Sequence, residues 1–166
     1  CEHPAALEDT EPNQKQKALI FGSELAGEKI GYLEIPDGWI QSCGHSDAKG
    51  TGGALPGKAV YEFQAPREDT YYLFLRAKWY DNCGNSVFLR LNQDPYLWLD
   101  DTEGKISESD YTWAWHPLRQ KGGLQELKLK AGKNTLELNT REDGPKFDKI
   151  LISTDDNKPA DTVLNP

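Results

Sequence analysis

The sequence is short of several things, and each shortage excludes something. No stretch of its 166 residues approaches the run of about 18 apolar residues that a spanning helix needs. Clustered Lys and Arg are missing: the basic residues are scattered singly in a chain of net charge −8. That argues against a nucleic-acid partner, because affinity for phosphate backbones comes from grouped cations. No segment carries a helical-length apolar stripe of period 3.6. There are three histidines, one of them at position 3, and no Ser/His/Asp or Cys/His set has a local catalytic signature. Paired carboxylates ("LDDTE", "SESD", "STDD") are too common to single out any pair. "GGALPGKA", Gly52 to Ala59, nearly fits a phosphate-binding loop. However, Ala59 stands where the hydroxyl residue belongs, and the following "VYEFQ" alternates like a strand instead of opening a helix.

What is present is strand. Charged residues at 28% and a mean hydropathy of −0.73 describe a wet surface, and the length suits one domain with a real core. Short segments rich in β-branched, aromatic and leucine residues recur between clusters of Gly, Pro, Asp and Asn. They predict nine strands, near 18–22, 29–35, 58–64, 70–79, 86–92, 111–116, 124–130, 134–140 and 147–153. The expected fold is all-β, an antiparallel sandwich. "LQELKLKAGKNTLELN" reads as a hairpin with one buried face, Leu124, Leu127 and Leu129 facing inward on the way out and Leu136 and Leu138 returning. "WYDNCGNSVFLRLN", Trp79 to Asn92, reads as the mouth of another, with Val87, Leu89 and Leu91 on one side and Phe88, Arg90 and Asn92 on the other. Residues 1–17 are expected to be a disordered leader, 18–154 the domain, and 155–166 a loose extension.

The ends and the cysteines raise questions of compartment. Methionine is absent, and Cys1 precedes a polar leader, "EHPAALEDTEPNQKQK". The arrangement resembles a bacterial lipoprotein after removal of its signal peptide. That resemblance implies export, a lipid on Cys1 and a membrane tether. The other reading is that Cys1 is internal to a longer chain. In an exported protein Cys43 and Cys83, both in Gly-containing loops, read first as a disulfide. A metal site of Cys43, His45 and Cys83 is the competing reading, without a C-x-x-C knuckle or a fourth ligand.

The aromatics carry the functional signal. Five Trp are present, several beside turn residues. Trp113 and Trp115 are two apart and share a face if they lie in a strand. Trp79 and Tyr80 are adjacent and must point to opposite faces, so one of them should approach the surface. Indole N–H groups need partners when buried. Exposed aromatics beside Asn, Asp and Arg would suit a sugar, its apolar face stacked on a ring and its hydroxyls bonded by the polar groups.

Over roughly residues 18 to 154 the chain resembles the family 6 and family 35 carbohydrate-binding modules, which are galactose-binding-like β-jelly rolls. The strongest pieces are "APREDTYYLFLRAKW" and "AGKNTLELNTREDGPKFDKILIST". The resemblance implies a jelly roll, no catalysis, and a polysaccharide or oligosaccharide ligand at a loop-end site. It places that site at Trp79, Tyr80, Asn85, Trp113, Trp115, Arg141 and Asp143. It also implies a structural calcium ion held by Asp148 with Glu24 or Glu28, oxygen ligands being what calcium takes. A monomer is expected. The alternative on the same fold is a scaffold or interaction module recognising a protein partner at the cell surface.

Overall fold

The computed structural model describes residues 14–17, 19–21, 32–34, 40–41, 58–79, 84–100, 112–142 and 144–160. Among these there is no helix, and the strands form two sheets face to face with a small separate hairpin. The first sheet has five strands: β1 (Gln14–Lys17), β5 (Lys58–Ala65), β13 (Gly132–Thr140), β7 (Ser86–Leu91) and β8 (Leu97–Asp100), in that spatial order. The second has seven: β12 (Leu127–Leu129), β6 (Asp69–Lys78), β14 (Lys146–Ser153), β3 (Tyr32–Glu34) and β2 (Leu19–Phe21), with β4 (Ile40–Gln41) on β14 and β9 (Ala114–Pro117) on β6. Pairing is antiparallel except for β1, which runs parallel to β5.

Period-two alternation explains the core. Tyr61 and Phe63 of β5, Leu136 and Leu138 of β13, and Leu89 of β7 come from one sheet. They meet Leu73 and Leu75 of β6 and Ile150 and Ile152 of β14 from the other, in one buried cluster. One break in the alternation matters. The β6–β14 register slips between Phe147 and Lys149, which makes Asp148 the extra residue of a β-bulge. Phe147 and Ile150, three residues apart, therefore both reach the core, as a bulge permits.

Both expected hairpins are crossovers. β12 pairs with β6, whereas β13 pairs with β5 and β7, so the chain changes sheet between Leu129 and Gly132. β6 and β7, on either side of "WYDNCGN", likewise lie in different sheets. The leucine alternation is the same in both cases, because a strand that crosses over still faces the shared core. Asn134 holds the first crossover, its amide donating to the carbonyls of Lys130 (3.0 Å) and Gly132 (2.9 Å).

Several elements differ from the sequence reading, β4 (Ile40–Gln41) among them. β1 covers Gln14–Lys17, inside the expected leader; a strand without apolar alternation has only its main-chain bonds to announce it. β8 was not expected, being four residues between Pro95 and an acidic run. β10 (Arg119–Gln120) and β11 (Gly123–Leu124) form a two-residue-loop hairpin. Lys121 and Gly122 turn it at φ 52° and 82°, the left-handed pair that suits strand twist.

Candidate functional site

Two aromatics of the expected loop-end platform, Trp79 and Trp115, are enclosed. Trp79 is 2% exposed, and its indole Nε1–H donates to His116 Nδ1 at 3.2 Å. The two rings lie 4.8 Å apart, and Phe147 meets Trp79 edge-on at 6.1 Å. Trp115 is fully buried against Phe74 and Leu151, on the outer side of the second sheet. A stacking platform must offer a ring face to its ligand, so the assignment of Trp79 and Trp115 to ligand contact is corrected. His116 supplies the indole partner whose need had suggested exposure. Tyr80 and Asp143 lie outside the described residues, as do Cys1, Cys43, Cys83, Glu24 and Glu28.

Trp113 is half-buried and belongs elsewhere, at the bulge. The Arg76 guanidinium lies 5.2 Å from its ring centre and is ion-paired with Asp148. Burial pushes the Asp148 carboxyl above its ordinary range, against the pull of Arg76 and then Lys149. Asp148 Oδ1 and Arg76 Nε are both buried without a hydrogen-bond partner. This bears on calcium. Calcium takes six to eight oxygens, yet among the described residues no three His, Cys, Asp or Glu come together. One Asp148 oxygen is held by a guanidinium that would compete with a metal. Of the expected calcium ligands only Asp148 lies among the described residues.

A different constellation stands on the outer face of the five-stranded sheet. Phe88, Arg90, Glu137 and Asn139 alternate with core leucines, and cross-strand pairing sets Phe88 beside both Asn139 and Trp98, and Arg90 beside Glu137. Directly opposed side chains on one face lie close enough to act together. Trp98 is 51% exposed, the one large hydrophobic so exposed among the described residues. Its neighbours Leu97 and Leu99 turn to the core. Phe88 is buried on this outward face because Tyr96 lies 6.3 Å away on one side and Arg141 is over its ring at 5.9 Å on the other. Arg90 stacks on Tyr96 at 4.7 Å and forms an ion pair of 2.8 Å with Glu137. Asn139, 4% exposed, holds an Nδ2 donor with no partner.

Arg141 and Asn85, expected together, are together, joined through Glu142. That carboxylate accepts the Asn85 backbone N–H at 2.9 Å and the Ser86 hydroxyl at 2.5 Å, and it is ion-paired with Arg141. Asp100 faces Ser86 across the β7–β8 register. Its carboxyl is pushed up by burial, with Arg141 opposing and Glu142 reinforcing the shift. Phe88 and Arg90 were legible in the sequence as the outward side of "SVFLRLN". Trp98 was not singled out, although "LWL" already carries the alternation that turns it outward.

No protein-family model matches the chain, and no curated protein matches it. Solved structures do. A family 35 carbohydrate-binding module from Clostridium thermocellum matches at 16% identity and a TM-score of 0.47, over 75% of this chain and 98% of that one. A GH26-CBM35 β-(1,4)-mannanase of Podospora anserina matches at 14% identity and a TM-score of 0.48, over 77% of this chain. This chain spans only 28% of that enzyme's length. A cycloisomaltooligosaccharide glucanotransferase of a Paenibacillus species matches at 16% identity and 0.43, over 72% of this chain and 18% of that one.

Proposed function

We propose that this domain is a non-catalytic carbohydrate-binding module, and that it holds glycan on the outer face of the five-stranded sheet. One observation carries the reading: an exposed indole, Trp98, stands on the same sheet face as the interlocked polar side chains of Arg90, Tyr96 and Glu137. A flat apolar ring beside fixed polar groups suits a pyranose, which has an apolar face and a rim of hydroxyls. Trp and Tyr suit such a surface because their ring is apolar and their polar tip can be bonded. The arrangement also needs little ordering on binding, since Arg90, Tyr96 and Glu137 already hold one another, and pre-ordering lowers the entropic cost.

The reading is tested on a glycan array with the wild-type chain and Trp98→Ala. Binding by the wild type and its loss in the variant support it. If no glycan binds, the rival of a protein-recognising module on this fold takes its place.

A further inference from the structure

The charges on this face bear on which glycan it would take, and the inference rests on the glycan reading above. Two guanidiniums stand here. Arg90 directs Nε (3.1 Å) and Nη2 (2.8 Å) to a single oxygen of Glu137. Arg141 is ion-paired with Glu142 and donates to the Ser86 hydroxyl. Glu142 is fixed in turn by the Asn85 N–H and by Ser86, so it is not a swinging surface group. Asp100 adds a third carboxylate, directly across from Ser86. On the β13–β7–β8 part of the face two cations therefore meet three anions, namely Glu137, Glu142 and Asp100, and towards β5 Lys133 is itself paired with Glu62.

An acidic sugar could reach either guanidinium only by displacing a side-chain carboxylate already in place. The displaced group would be left partly buried and uncompensated, which is the costly way to break such a pair. A hydroxyl imposes no such exchange: it both donates and accepts and can join a guanidinium–carboxylate pair without separating it. We propose that this face selects uncharged glycans, and that the Arg90–Glu137 and Arg141–Glu142 pairs, with Asp100 beside the second, exclude carboxylated sugars. Selection of this kind works through the repulsive element as much as the attractive one.

The test uses the full chain in affinity electrophoresis and calorimetry at neutral pH. One arm is neutral polymers (a β-glucan, a mannan and a xylan), and the other is carboxylated ones (polygalacturonate and alginate). The expected result is binding to at least one neutral polymer and none to the carboxylated pair. Glu137→Gln, which frees Arg90 while keeping side-chain size, should gain carboxylated-polymer affinity by about tenfold or more. Its melting temperature is read alongside, and Glu142→Gln asks the same question at Arg141 should the first variant unfold. Wild-type binding of carboxylated polymer that depends on Trp98 overturns the selectivity and leaves the glycan reading standing. Continued refusal by both folded variants overturns the assignment to these pairs. If the wild type binds neither kind, both the selectivity and the reading beneath it fall.

Discussion

Tyr61 sits at 0% exposure in the middle of the sandwich with its hydroxyl unpartnered. Burial pushes its phenol well above the ordinary value near 10, because an ionised ring has no solvent there. The sign follows: a raised folded-state pKa gives stability that is complete below the unfolded value and is lost as pH climbs past it. Tyr61→Phe should thus leave stability at pH 7 unchanged or raise it by up to about 1 kcal/mol, since it removes an unmade hydrogen bond. It should also flatten the fall in stability above pH 10, as read from urea melts at several pH values. Arg76 offers the opposite case. Arg76→Met leaves the half-buried Asp148 carboxylate without its ion-pair partner and should cost about 3 kcal/mol at pH 7. Because the carboxyl is already pushed up by burial, protonation near pH 4 should recover part of that loss. Equal costs at both pH values would count against the pair as the cause.

Strands separate the two jobs of this chain residue by residue. In β8, Leu99 is buried and Trp98 is exposed, although they are adjacent. Leu99→Ala should cost about 2–5 kcal/mol, whereas Trp98→Ala should stay within about 0.5 kcal/mol of the wild type, both measured by chemical denaturation. Trp115→Ala should behave like the leucine and lose about 3–5 kcal/mol, since its ring is enclosed by Phe74 and Leu151. Gly122→Ala, at φ 82° with open space around it, should cost about 1 kcal/mol from backbone strain alone. Strand existence was legible from alternation in β5, β6, β7, β13 and β14, which supply most of the core. Partner choice was not. Alternation tells a strand which side to bury, and a hairpin and a crossover between facing sheets bury the same side.

For the whole molecule, the sandwich could be read from composition and spacing, while the location of a binding surface could not. The aromatics beside turns drew attention because turns are exposed, yet Trp79 and Trp115 are enclosed, one with a histidine to take its N–H and one in a small apolar cluster. The polar pairs that shape the outer face, Arg90 with Glu137 and Arg141 with Glu142, depend on β13 lying beside β7, and a register between strands some 45 residues apart is invisible in a single sequence. Arg141 and Asn85 came from the family resemblance alone, and nothing in their spacing joins them. The most direct test of the account is calorimetric titration of the wild type and Trp98→Ala with the glycan the array selects, each variant's melting temperature being measured in the same buffer. The account predicts saturable binding by the wild type and at least about a tenfold weakening in Trp98→Ala, with the two melting temperatures nearly equal. Undiminished binding by a folded Trp98→Ala would contradict it.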